Sequence, residues 1–184
     1  MNRDRFINRQ SNNCTMDLKE HIREIPDFPI PGILFYDIST IMKSSEAMEF
    51  VIESLHNQIK DWKPDVIAGI ESRGFLFATP LALRMNLPMM MIRKAGKLPG
   101  EVVSYEYDLE YGTDTIQIQA DAIQAGQKVV IVDDLLATGG TLEASIKLCQ
   151  KVGGEVVGCT VVIELDFLSG RNNLSVPCKS LVNY

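Results

Sequence analysis

Short unbroken apolar runs alternate along this chain with stretches that show helical spacing. Val66–Ile70, 88–92, 129–132 and 156–163 are runs of four to eight residues, rich in Val and Ile or, at 88–92, in Met. Such runs, closed by polar or small residues, read as strands buried on both faces. Between them, Met48, Val51, Ile52, Leu55 and Ile59 mark one face of a helix. Ser44 or Ser45 caps it, and Lys63-Pro64 stops it near residue 62. A second helix is expected over 75–85, and a third where Leu142, Ile146 and Cys149 recur. Strand alternating with helix predicts an α/β domain over 17–184, with a mostly parallel central sheet and helices on both faces.

Other stretches break that rhythm. Positions 102–107 and 115–119 alternate apolar and polar residues at period two around 108–114. This predicts a long hairpin or mobile flap rather than core structure. A helical turn is expected over 121–125, a turn over 170–173 and an edge strand over 179–182. Leu18, Ile22 and Ile25 suggest a short helix ending before Pro26. The segment 26–32 holds Pro26, Pro29 and Pro31 and is a rigid loop. Positions 33–37 read either as a short strand or as a wrapped loop. Residues 1–16, rich in Asn and Arg, read as a flexible arm.

Composition removes several function classes. A net charge of −6 argues against nucleic-acid binding through bulk charge. No apolar run approaches the roughly 20 residues of a membrane span. The first residues lack the apolar core of a secretory signal. Cys14, Cys149, Cys159 and Cys178 are scattered without a C-x-x-C pair. They read as free thiols, which places the chain in the cytoplasm. His21 and His56 lie far from the glycine-rich loops and read as surface residues.

Candidate chemistry concentrates in 128–142, KVVIVDDLLATGGTL. The order is strand, adjacent carboxylates Asp133 and Asp134, small-residue loop, helix. Small residues let backbone N–H groups crowd round an anion, and a helix N-terminus adds unpaired donors. An acidic pair beside an anion site suits a ligand with hydroxyls to orient or a divalent cation to share. Neither G-x-x-x-x-G-K-[ST] nor G-x-G-x-x-G is present. Two further polar loops follow strands: Glu71-Ser72-Arg73-Gly74, and 93–100 with Arg93, Lys94 and Lys97. In a parallel sheet all three face the side where ligands bind.

The acidic pair followed by Ala137-Thr138-Gly139-Gly140-Thr141 resembles the phosphoribosyl diphosphate signature of type I phosphoribosyltransferases. Pro26-Asp27-Phe28-Pro29 with Pro31-Gly32, Glu71-Ser72-Arg73-Gly74-Phe75, Lys97-Leu98-Pro99-Gly100 and Leu109-Glu110-Tyr111-Gly112 narrow the resemblance to the adenine phosphoribosyltransferase family, over nearly the whole chain beyond residue 16. That resemblance implies the type I phosphoribosyltransferase fold, with a small N-terminal hood and a mobile hairpin flap. It implies conversion of adenine and 5-phosphoribosyl 1-diphosphate to AMP and pyrophosphate.

By the same resemblance, Ala137, Thr138, Gly139, Gly140 and Thr141 hold the 5′-phosphate, and Asp133 and Asp134 the ribose hydroxyls. Ser72, Arg73, Lys94 and Lys97 meet pyrophosphate, with a cis peptide between Glu71 and Ser72. Arg93 is a further candidate there, and for Arg93, Lys94 and Lys97 a plain surface charge is an equal reading. Leu34, Phe35 and Arg73 meet adenine. Glu110, beside Tyr111 on the flap, assists proton transfer near N7; from its own chemistry it reads as a turn carboxylate in solvent. Mg²⁺ is implied, held mainly by substrate oxygens and water with no direct protein ligand, and so is a homodimer. Tyr36 stands where the family commonly has Arg, and it can stack or hydrogen-bond instead. Two alternative readings are a 6-oxopurine phosphoribosyltransferase and a non-catalytic sensor of phosphoribosyl diphosphate.

Overall fold

The computed structural model describes residues 16–108 and 112–184. Its centre is a seven-stranded sheet in the order β5-β6-β4-β3-β7-β8-β9. The strands are β3 (Val66–Ile70), β4 (Met89–Lys94), β5 (Val102–Asp108), β6 (Thr113–Gln119), β7 (Lys128–Leu136), β8 (Glu155–Glu164) and β9 (Cys178–Asn183). Strand β3 pairs in parallel with β4 and β7, β7 with β8, and β8 with β9. Strands β5 and β6 run antiparallel at one edge. A separate two-stranded sheet, β1 (Arg23–Pro26) and β2 (Leu34–Asp37), forms the hood.

Helices α1 (Ser39–Met42), α2 (Ser45–Ile59), α3 (Gly74–Met85) and α4 (Gly140–Lys151) cover the sheet. Ser44 caps α2 by accepting from the Ala47 N–H at 3.1 Å. Both faces of the sheet are buried, and alternation along β7 shows it. Val130 and Val132 join the cluster formed with α2 and α3, whereas Val129 and Ile131 join the one formed with α4. All four have no exposed surface. Each such side chain contributes about 1.5–3 kcal/mol of burial energy.

Several expectations need correction. Residues 17–25 are not one helix: a 3₁₀ turn at Leu18–His21 is followed by β1. The ladder from Arg23↔Asp37 to Pro26↔Leu34 outweighs the local helical spacing. It also settles 33–37 as strand rather than wrapped loop. Strand β7 runs through Asp133 and Asp134 to Leu136, because β8 offers partners as far as Leu136↔Glu164. The acidic pair therefore sits on strand, not on a loop. The base of the hairpin is core: Ile116 and Ile118 are buried at 2% and 0% exposure against the α4 side. Strand β4 continues to Lys94 by pairing with β6 at Arg93↔Gln117 and Lys94↔Ile116. Segment 121–125 forms turns without helix. The arm expected over 1–16 lies outside the described residues except for Met16.

Candidate active site

Strand order reverses between β3 and β7, so the loops leaving their carboxyl ends lie side by side. A cavity of about 520 Å³ opens there. It is lined by Ser72, Arg73, Arg93, Lys94, Asp133, Asp134 and Thr141 from the expected set, joined by Glu71, Tyr107 and Asp114.

Close packing of β3, α3 and β7 brings the first two loops together. A Cβ at Gly74 would stand 2.8 Å from the Val132 carbonyl and 2.9 Å from Asp133 Oδ1. Only glycine lets the start of α3 approach β7 so closely. Just before it, the Glu71–Ser72 peptide is cis, as the resemblance implied. Arg73 leaves this turn with Nε 2.9 Å from Asp134 Oδ2. Its guanidinium also stands 5.5 Å from the centre of the Phe35 ring.

Asp133 Oδ1 accepts the Asp134 backbone N–H at 2.8 Å. Burial, then the neighbouring Asp134 charge, pushes the Asp133 carboxyl well above the usual carboxylate range. Burial raises Asp134 as well, against the opposing pull of Arg73. Carboxyls destabilised as anions in this way gain from a ligand that brings hydroxyl donors or a cation.

Beyond the pair, Gly139 turns the chain with φ +88° and α4 begins. Its first-turn N–H groups point out of the helix end, where an anion satisfies them. Thr141 lines the cavity, whereas Thr138 is exposed. The other flank is electrostatically paired. Glu71 accepts from Arg93 at 3.1 and 3.3 Å and from the Lys94 N–H at 2.9 Å. Burial alone would raise Glu71; these bonds, with the charges of Arg93 and Lys97, hold it low instead. Lys94 Nζ lies 3.0 Å from Asp114 Oδ2, and that contact raises Lys94 and lowers Asp114.

Not every expected residue converges here. Lys97 does not line the cavity, and its carbonyl accepts from Arg93 at 3.1 Å. Leu34 is 42% exposed on the hood. Phe35 reaches the cavity through Arg73. Glu110 and Tyr111 lie outside the described residues. Tyr36 points away from Phe35, as neighbours on a strand do. Its ring packs on Tyr184 with centroids 4.0 Å apart, so it anchors the hood.

Tyr107 and Asp114 were not singled out in the sequence. The Tyr107 hydroxyl is 3.2 Å from Thr141 Oγ1 and 3.5 Å from Asp114 Oδ2, which ties the hairpin to the glycine loop. In the sequence Tyr107 closes one alternating run, and Asp114 lies in the stretch between the two runs, which the structure takes into β6.

Residues 37–182 match the family described as phosphoribosyl transferase domain. An adenine phosphoribosyltransferase of Gluconacetobacter diazotrophicus is 59% identical over 171 residues, 93% of this chain and 97% of that protein. This chain belongs to the adenine phosphoribosyltransferase family. The crystal structure of adenine phosphoribosyltransferase from Thermoanaerobacter pseudethanolicus matches with a TM-score of 0.88 at 50% identity, covering 91% of this chain and 98% of that one. The Saccharomyces cerevisiae adenine phosphoribosyltransferase, complexed with D-2,5-dideoxy-2,5-imino-altritol 1,6-bisphosphate and adenine, matches at 0.85 and 41% identity, covering 89% and 96%. The mostly parallel sheet with flanking helices is thus the adenine phosphoribosyltransferase fold. Among the described residues no helix is long and apolar enough to cross a membrane.

Proposed function

We propose that this chain runs the purine-salvage reaction of its family, converting adenine and 5-phosphoribosyl 1-diphosphate to AMP and pyrophosphate, with the residue roles that follow. The observation that carries the assignment of roles is Arg73. It touches Asp134 on the strand side and Phe35 on the hood side, and so joins a ribose clamp to a flat aromatic surface.

The 5′-phosphate sits against the N–H groups of Ala137, Thr138, Gly139, Gly140 and Thr141. Asp133 and Asp134 accept from the ribose 2′- and 3′-hydroxyls. Backbone amides at Ser72 and Arg73 receive the pyrophosphate, with Lys94 and Lys97 at its rim. Adenine lies against Phe35, its edge toward the Leu34 backbone. The bond from ribose C1 to pyrophosphate oxygen breaks and the bond from C1 to adenine N9 forms. Positive charge that develops on the ribose is stabilised by the carboxylate pair. The N9 proton passes to the departing pyrophosphate or to water, and Glu110 shares a proton at N7 as N9 becomes nucleophilic.

Asp133 and Asp134 are hard oxygen donors suited to Mg²⁺. Among the described residues no cluster of three or more His, Cys, Asp or Glu surrounds a metal position. On this reading substrate oxygens and water would supply most of the Mg²⁺ ligands. With the ion bound, the charge of Asp133 and Asp134 facing the pyrophosphate would be offset.

A homodimer fits the exposed Leu76 and Leu83 on α3 and Met91 on β4, at 45%, 82% and 40% exposure. A cytoplasmic site fits the free Cys149, Cys159 and Cys178. The deciding experiment supplies adenine, hypoxanthine and guanine separately with phosphoribosyl diphosphate and Mg²⁺. Pyrophosphate release is expected with adenine alone. Release with a 6-oxopurine and none with adenine overturns the assignment.

A further inference from the structure

The glycine loop 137–141 is held from outside by a segment the reaction does not touch, the 3₁₀ turn Gly170–Asn173. The contact is backbone on backbone. A Cβ at Gly170 would fall 2.0 Å from the Ala137 carbonyl, and one at Gly139 would fall 2.5 Å from the Gly170 carbonyl. Asn173 completes it, with Nδ2 donating to the Thr138 carbonyl at 2.8 Å. The far side of the turn is anchored to the sheet. Arg171 Nε donates to Glu164 Oε1 at 2.9 Å, and its Nη atoms reach Glu164 Oε2 and the Cys178 carbonyl. Glu164 is 4% exposed at the end of β8. Just beyond the turn, the Ser175 N–H donates to Glu143 on α4 at 2.9 Å.

A trans peptide points its C=O and N–H in opposite directions. Holding the Thr138 carbonyl outward, on Asn173, therefore turns the Gly139 N–H toward the inside of the loop. Glycine at 139 has no side chain to resist rotation of that peptide, so the orientation must come from a partner. We propose that Asn173 is a positioning residue for the 5′-phosphate: it fixes the Thr138–Gly139 peptide so that the Gly139 N–H is aimed at a phosphate oxygen. This rests on the reading of Ala137–Thr141 as the phosphate loop. Arg171 and Glu164 serve it by keeping the turn in place. Asn173 is exposed and its side-chain amide meets the glycine loop at Thr138, so its effect is confined to the phosphate end of the ligand.

The test uses the full chain with ribose 5-phosphate as probe, in wild type, Asn173→Ala and Asn173→Asp. Aspartate keeps the shape of asparagine, but its carboxylate cannot donate to the Thr138 carbonyl. In the wild type, ribose 5-phosphate should shift the Gly139 and Thr141 amide signals in NMR spectra. In both variants the Gly139 shift should shrink while the Thr141 shift persists. The Kd for ribose 5-phosphate and the KM for phosphoribosyl diphosphate should rise on the order of 3- to 10-fold, the scale of one net hydrogen bond, with kcat falling by less. Adenine KM should stay as in the wild type. Wild-type Gly139 shifts that survive unchanged in both variants overturn the positioning role alone. If the probe shifts no amide of 137–141 in the wild type, the phosphate-loop reading fails and the proposal falls with it. An equal loss of adenine and phosphate affinity, with a lowered Tm, marks Asn173 as merely structural and also overturns it.

Discussion

The proposed donor and acceptor sides of the site are built differently. The donor side rests on β3, β7 and the helices behind them, with Val129, Val130, Ile131 and Val132 wholly buried. The acceptor side is a two-stranded hood with an antiparallel hairpin at the sheet edge. On the hood, Phe28, Ile30, Ile33 and Leu34 are 49%, 61%, 46% and 42% exposed. Core packing thus sets the donor side and, through Ile116 and Ile118, the base of the hairpin. The hood is fixed by a few tethers: Arg23 on Asp37, the Thr40 hydroxyl on the His21 carbonyl at 2.6 Å, and Tyr36 on Tyr184. Elements with few buried contacts open at lower free energy than a core strand. A phosphate site gains from stiffness, whereas a base site that admits and releases a flat ligand gains from mobile walls.

The largest effect is expected at Glu110, on the proposed acceptor side. Glu110→Gln should lower kcat about 10²-fold or more, the scale of general acid–base catalysis, with little change in donor affinity. Steady-state kinetics with both substrates varied checks it. Unchanged turnover removes Glu110 from proton transfer.

Next in size is a break on the rigid side. Gly74→Ala would press a Cβ onto the β7 backbone at 2.8–3.1 Å and should cost about 1–3 kcal/mol of stability, as overpacking does. Calorimetry should show a lower Tm together with weaker use of phosphoribosyl diphosphate. A normal Tm would mean that the donor side yields as readily as the hood.

Tyr107→Phe should have a smaller effect, about 0.5–1.5 kcal/mol for one net hydrogen bond. It removes the hydroxyl that joins the hairpin to Thr141. Hydrogen exchange should quicken along β5 and β6 but not along β7. Equal acceleration on both sides would erase the distinction.

The smallest effect concerns acid. Hydrogen bonds from Arg23 and Ser39 lower the Asp37 carboxyl to about 2. Its folded value is below the unfolded one of about 3.9, so its stabilisation is complete above that pH. It is lost as pH falls toward about 2. Asp37→Asn should flatten this dependence in acid unfolding curves, with hood probes responding before sheet probes.

Much of the donor side was legible in the chain. Its strands and helices are continuous segments with matching periodicity, and Asp133 to Thr141 is a single stretch joining strand to helix. Arg73 was also legible, because it follows a buried strand. Less legible were the features made by pairing across distance. The β1–β2 ladder replaced an expected helix, and the β6–β4 register made the hairpin part of the core. Strand β8 carried β7 through the acidic pair. Tyr107 and Asp114 entered the site only once β5 and β6 stood beside α4.

By itself, then, the sequence determined the alternation of strand and helix, the chemistry of the glycine loop with its acidic pair, and the family resemblance. Local spacing and residue type are enough for these. Only the tertiary structure decided that Arg73 bridges Asp134 and Phe35, that Tyr36 packs on the Tyr184 ring, and that Asn173 holds the Thr138 carbonyl of the glycine loop. Each of these is a contact between segments whose order along the chain says nothing of their distance in space.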